Sequence, residues 1–319
     1  MVKVTVAKTA GFCFGVKRAV LIAEELAEKG GGCTLGPIIH NTDVTERLAG
    51  AGVVPVEQPE QANGTLIIRS HGVGKNVYKK LSELSIDYID ATCPFVEKIH
   101  RIVSEESAKG AEALIAGDSA HPEVQGIIGH CETRAAAVNS MEQLKELVNT
   151  QKSFGENALI FVAQTTFDMV KWTEFKNFVK NHYTKVQIFD TICSATTNRQ
   201  KEAAFLAQNS DIMVVVGGRH SSNSRKLADI CRAYCTTYFV ENADELDTAQ
   251  IGAEIMSHAQ DVKIGITAGA STPADIIKEV HRIMSEIKND DMDIDFMAEV
   301  DKTFKRVYIG KEKIYGRKN

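Results

Sequence analysis

Thr9-Ala-Gly-Phe-Cys-Phe-Gly-Val-Lys17 is the stretch on which the reading of this 319-residue chain turns. Its centre, Cys13, follows an extended run, Val2–Val6, and precedes a helical pattern over residues 15–29. Val16, Ala19, Val20, Ala23, Leu26 and Ala27 fall on one face of that helix, and Gly30-Gly31-Gly32 stops it. Two other segments repeat the arrangement. Asp90-Ala-Thr-Cys93 and Asp190-Thr-Ile-Cys193 each end a strand-like run and open a helix.

Working outward, the order of elements also repeats. After each Cys come a helix, a strand and a polar loop. The first polar loop residue lies 27 positions after Cys13 (His40), 28 after Cys93 (His121) and 28 after Cys193 (Ser221). Each unit then supplies a second strand-to-helix loop, carrying His71, Thr165 or Ser271. Asn41 and Thr272 read as helix N-caps, and Ser140 to Gln143 has the spacing of a capping box. Regular alternation of strand and helix predicts an α/β chain with mostly parallel sheets. The expected architecture is three similar lobes, over 14–93, 94–193 and 194–288, in a pseudo-threefold arrangement around the cysteines. The third lobe lacks a last strand, and residues 1–13 supply it. Residues 289–319 form a tail, acidic then basic, read as a solvated extension.

Composition narrows the function classes. The chain is 44% hydrophobic and 25% charged, with a net charge of −5, so nothing pulls the body toward nucleic acid or an anionic membrane. No run approaches the length of a membrane span, and the N-terminus lacks the features of a signal peptide, so a cytoplasmic location is expected. The seven cysteines are odd in number and include no C-x-x-C, which argues against disulfides, zinc ribbons and ferredoxin-type runs.

Three cysteines at equivalent repeat positions are expected to converge. The helix N-termini that follow them favour thiolate, the metal-binding form. Three thiolates suit an iron–sulfur cluster with one iron lacking a protein ligand; a zinc ion with three Cys and a water is the alternative, less suited to the surrounding neutral hydrogen-bonding loops. His40, His71, His121, Ser221, Ser222, Asn223 and Ser271 lie at strand-to-helix junctions, where amides, hydroxyls and imidazoles suit a phosphate or diphosphate. One loop, His121-Pro122-Glu123, adds a carboxylate. Burial beside negative charge raises a carboxyl pKa and fits Glu123 for proton donation. Cys33, Cys131, Cys231 and Cys235 read as packing residues.

Taken together, Ala-Gly-Phe-Cys-Phe-Gly-Val around Cys13, Ile-His-Asn at 39–41, Ser-His-Gly at 70–72, Asp-Ala-Thr-Cys-Pro at 90–94, His-Pro-Glu at 121–123, Gln-Thr-Thr at 164–166, Ser-Ser-Asn at 221–223 and Ala-Gly-Ala-Ser-Thr-Pro at 268–273 resemble the LytB/IspH family of 4-hydroxy-3-methylbut-2-enyl diphosphate reductases. The resemblance runs in order from residue 1 to about 285 and leaves out the tail. It implies the last step of the non-mevalonate (MEP) isoprenoid route, a reductive dehydroxylation giving isopentenyl and dimethylallyl diphosphates. It implies one 4Fe–4S cluster on Cys13, Cys93 and Cys193, with the substrate hydroxyl at the open iron. Glu123 is the implied proton donor, with His121 and Thr165 as its catalytic neighbours and Gln164 shaping the path. His40, His71, Ser221, Asn223 and Ser271 are the implied diphosphate ligands, with His121 and Ser222 nearby. A ferredoxin- or flavodoxin-type donor is implied, and the chain carries no dinucleotide fingerprint. A quinolinate-synthase-like three-Cys enzyme would need a dicarboxylate site richer in Arg, and a cluster-based hydratase would carry out no net reduction. A redox-sensing or RNA-binding protein would need a basic face on the body.

Overall fold

The computed structural model describes residues 2–151, 153–156, 158–258 and 261–287; the expected tail over 289–319 lies outside the described residues. The chain opens with β1 (Val2–Val6) and then builds a first lobe. That lobe comprises α1 (Phe14–Glu28), β2 (Gly32–Leu35), α2 (Thr42–Gly50), β3 (Val53–Val56), β4 (Leu66–Ile68), α3 (Lys75–Glu83) and β5 (Tyr88–Asp90). The second comprises α4 (Pro94–Ala108), β6 (Glu112–Ala116), α5 (Pro122–Ile128), β7 (Ala135–Val138), α6 (Met141–Thr150), β8 (Leu159–Ala163), α7 (Met169–His182) and β9 (Val186–Ile188). The third comprises α8 (Ser194–Gln208), β10 (Ile212–Val216), α9 (Ser222–Arg232), β11 (Thr236–Val240), α10 (Thr248–Ser257), β12 (Val262–Ala268) and α11 (Ala274–Glu286).

Among the described residues these strands form three parallel four-stranded sheets, ordered β3-β2-β4-β5, β7-β6-β8-β9 and β11-β10-β12-β1. The orders superimpose position by position. β1 runs parallel to β12, from Val2 opposite Val262 to Val6 opposite Ile266. It therefore takes in the third sheet the place that β5 and β9 take in the first two. Each of these three edge strands leads to one of Cys13, Cys93 and Cys193. The threefold repetition of the sheets thus delivers three cysteines to equivalent points.

The central strands show why the sheets hold. β10 is Ile-Met-Val-Val-Val, and all five side chains are fully buried. Ile212, Val214 and Val216 pack on one face with β12 and α11, while Met213 and Val215 pack on the other with Leu227 and Cys231 of α9. A continuous apolar run is what a parallel strand covered on both faces requires. Truncating Ile212 or Met213 to Ala would cost roughly 2–5 kcal/mol.

Three local expectations change. Thr272 does not cap α11. Pro273 occupies the N-cap, and the Thr272 hydroxyl instead donates to Val216 O at 3.0 Å, tying the last loop to β10. Ser140 does accept from Gln143 N, but the Gln143 amide oxygen reaches back to Asn139 N, not to the cap residue. Helix α10 has no counterpart in the sequence reading, because Ile251, Ala253 and Ile255 fall two apart, the period of a strand.

Candidate active site

Cys13, Cys93 and Cys193 are the N-cap residues of α1, α4 and α8, all in extended conformation. Their backbone amides are held in the same way. Cys13 N donates to Ala270 O, Cys93 N to Ser70 O and Cys193 N to Thr165 O, at 3.0–3.2 Å. Each acceptor lies on the second strand-to-helix loop of the same sheet, so every Cys is pinned to the loop beside it. The three residues line one cavity. Gly15 makes room there: a Cβ at this position would sit 2.6 Å from Cys93 Sγ.

Burial acts on the Cys93 and Cys193 thiols more strongly than the helix termini do. It pushes Cys93 up to about 11 and raises Cys193, against the amides of Phe95, Val96 and Thr196, which pull the other way. The amides at these helix N-termini do favour thiolate at Cys93 and Cys193, as expected, but burial opposes them. Desolvation of the thiolate is the larger effect, and a bound cation must supply the rest. The donor set fits a cluster on that basis: three sulfurs in one polar-lined cavity, with a small residue cleared from among them.

The same cavity is lined by His40 and His71 from lobe one, His121, Glu123 and Thr165 from lobe two, and Ser221, Ser222, Asn223 and Ser271 from lobe three. The loops also interlock. Ser271 Oγ donates to His40 O at 3.1 Å, and Asn41, next to His40, caps α2 by accepting from Val44 N. Gln164 stands apart from this group. It is fully buried against Gly117, and both of its side-chain polar atoms lack a partner among the described residues.

His40, His71 and His121 form a ring, with centroids 4.7–5.5 Å apart. One nitrogen from each lies within 4.8 Å of the others, a donor set that suits either an anion or a metal ion. Burial, reinforced by the neighbouring rings and by Arg69, lowers His40 to about 4 and His121 to about 3, and holds His71 well below its ordinary value. At neutral pH all three are uncharged. His40 Nε2, His71 Nδ1 and both amide atoms of Asn223 are buried without a partner among the described residues. Each such atom costs roughly 1–3 kcal/mol, and a ligand with several acceptor oxygens removes that cost for the imidazole N–H groups and Asn223 Nδ2.

Glu123 is 2% exposed. Its two oxygens accept from Thr165, Oε1 from the amide at 2.6 Å and Oε2 from the hydroxyl at 2.8 Å. Burial raises its pKa, opposed in part by those two bonds and by Lys226. Lys226 Nζ donates to Thr166 O at 2.8 Å and Ser222 Oγ at 3.0 Å, and burial lowers it to about 8.

Three cations at this site were not read from the sequence: Arg69, Lys226 and Arg199. Arg69 directly precedes Ser70 and His71, and Lys226 lies one helical turn after Ser222. Arg199 carried a sharper signal. The buried stripe of α8 runs Thr196, Arg199, Gln200, Ala203 and Ala207, so polar side chains occupy the inward face nearest Cys193.

Comparison with known proteins accords with this geometry. The family model described as "LytB protein" matches residues 4–285. The chain belongs to the LytB family. It is 41% identical over 297 residues to the 4-hydroxy-3-methylbut-2-enyl diphosphate reductase of Caldanaerobacter subterraneus subsp. tengcongensis, covering 91% of this chain and 99% of the relative. A solved LytB-family structure, (E)-4-hydroxy-3-methyl-but-2-enyl diphosphate reductase, the terminal enzyme of the non-mevalonate pathway, is 36% identical with a TM-score of 0.62. That match covers 89% of this chain and 99% of the solved one. The E-1-hydroxy-2-methyl-but-2-enyl-4-diphosphate reductase of Plasmodium falciparum shares the fold at a TM-score of 0.81 and 24% identity, over 94% of this chain and 98% of its own.

Proposed function

We propose that this chain is a 4-hydroxy-3-methylbut-2-enyl diphosphate reductase, with Cys13, Cys93 and Cys193 holding a 4Fe–4S cluster. The carrying observation is that three lobe-equivalent cysteines and a shell of unpartnered buried donors line one cavity. The reaction replaces an allylic C–O bond by C–H: the alcohol takes up two electrons and two protons and releases one water. When bound, the cluster supplies the electrons and a Lewis-acidic iron. His40, His71, Ser221, Asn223 and Ser271 bind the diphosphate, with His121 and Ser222 alongside. Neutral imidazoles present N–H donors to it without the desolvation cost of a buried charge. Glu123, held by Thr165 and keeping its proton to higher pH than an exposed carboxyl, delivers protons to the leaving oxygen and the allylic carbon. Gln164, next to Thr165 in the chain, helps to shape that proton path.

The reading extends to three lobes divided after Cys13, Cys93 and Cys193, to a ferredoxin- or flavodoxin-type electron donor, and to a cytoplasmic enzyme. Among the described residues, no helix is long and apolar enough to cross a membrane. The test is anaerobic iron and sulfide content, then consumption of the allylic diphosphate with a reduced dye. About four irons per chain, lost in Cys93→Ser, and turnover are expected. Zinc in place of iron, or no turnover by an iron-loaded protein, would overturn the reading.

A further inference from the structure

Arg199 is a guanidinium only 3% exposed, on the turn of α8 that faces the cavity. Its Nε and Nη2 donate to Thr9 O at 3.0 and 2.6 Å, and Nη2 donates also to Gly11 O at 2.7 Å. Both acceptors belong to the turn that carries Cys13. Gly11 adopts a left-handed φ of 98°, so that turn is one an ordinary residue would strain to form. Nη1 is also buried and has no partner among the described residues. The nearest carboxylate, Glu202, is engaged elsewhere: it accepts from Lys8 N, Thr9 N and Thr9 Oγ1 at 2.5–2.8 Å.

A buried cation bonded only to carbonyls retains a large uncompensated desolvation cost. The groups whose negative charge acts on Arg199 are, in order, Cys13, Cys193 and then Glu202. Two of the three are cysteines of the site. We propose that Arg199 is the buried counter-cation of the metal centre: it clamps the Cys13 turn with one side of its fork and sets the reduction potential of the cluster with its charge. The inference rests on the reading that the three cysteines hold a cluster.

Three thiolates leave a 4Fe–4S core net negative, and each electron added makes it more so. A fixed cation at this range stabilises the reduced form over the oxidised one, since cluster potentials follow net charge and hydrogen bonding around the sulfurs. Arg199 touches no reacting atom and is a positioning residue. It also ties the first lobe-closing turn to the helix that begins at Cys193, so two of the three ligands share one support.

The test is a potentiometric titration of the loaded enzyme, followed by electron paramagnetic resonance, on wild type, Arg199→Lys and Arg199→Gln. Metal-free melting and iron content are measured in parallel. Arg199→Lys is expected to load and to titrate near wild type. Arg199→Gln is expected to favour the oxidised form by about tenfold, ~59 mV to lower potential for a one-electron couple. A Gln variant that folds but loads no iron, beside a Lys variant that loads, also supports the charge requirement. Equal potentials in the two variants overturn the proposal, and so does failure of both to load iron, because charge is then not what the site needs. Absence of iron from the wild type would instead overturn the cluster reading, leaving the two failures distinguishable.

Discussion

In lobe two the loop after β6 reaches the cavity with His121 and Glu123; in lobe three the loop after β10 reaches it with Ser221, Ser222 and Asn223. Both loops end in a residue that caps the next helix, His121 accepting from Glu123 N and Ser221 from Ser224 N. The backbone is therefore doing the same thing in each place. What differs is the charge state each can reach. Lobe two presents a buried carboxyl, which can exchange a proton, beside an imidazole that stays neutral. Lobe three presents hydroxyls and an amide, which cannot, and places the nearby Lys226 ammonium against Ser222. On the proposed function, a repeated scaffold is divided into a proton-handling side and a binding side.

The largest expected effect breaks that division at Glu123. Glu123→Gln keeps the size of the side chain and removes its proton, so turnover should fall by about 10²–10⁴-fold with iron content and substrate affinity retained. Single-turnover kinetics with a reduced dye reads this directly, and undiminished turnover would remove Glu123 from the mechanism. Asn223→Ala should show the opposite split. Losing a neutral donor to an anion costs about 1–2 kcal/mol, roughly tenfold in Kd for the substrate or its product, with little change in the chemical step. A fall in turnover at unchanged Kd would contradict the binding role given to lobe three.

The pH response separates the lobes further. His40 and His121 have folded-state values of about 4 and about 3, below the 6.5 of the free side chain. Between those values the unfolded chain binds more protons. The stability they contribute is full above about 6.5 and is lost as pH falls toward about 4 and about 3. Melting of the metal-free protein should show this slope, and His40→Asn with His121→Asn should flatten it. Ser221→Ala should lower the curve by about 1 kcal/mol without changing its slope. The smallest effect lies outside the cavity. Thr272→Val removes the hydroxyl donated to Val216 O and should cost about 1 kcal/mol in denaturant melts.

Much of this was legible in the chain because its signals are local. The run Ile212–Val216 can only be a strand covered on both faces, and a Cys at the start of an apolar-periodic segment marks a helix entrance wherever it occurs. The spacing from each Cys to its loop carried the threefold register. What escaped were groups defined by distant partners. Thr272 looks like a cap until Val216, 56 residues away in sequence, claims its hydroxyl. Arg199 looks like a surface residue of a polar helix until Thr9 and Gly11 are brought to it. The opposing effect on the thiols was hidden for a similar reason: a helix terminus is visible in sequence, but the depth at which it is buried is not.

The pairing of β1 with β12 also sets an order of events during synthesis. Cys13 emerges well before its supports: the strand that holds its approach, the carbonyl of Ala270 and the Arg199 clamp all emerge after residue 198. At about 5–20 residues per second, a new chain carries an unanchored Cys13 for roughly tens of seconds. Lobes one and two can each complete a sheet in that interval, whereas the third ligand waits for the last strand. If the three cysteines hold iron as proposed, iron delivered before translation reaches β12 would meet two fixed cysteines and one loose one, which would bind maturation of the centre to completion of the ring.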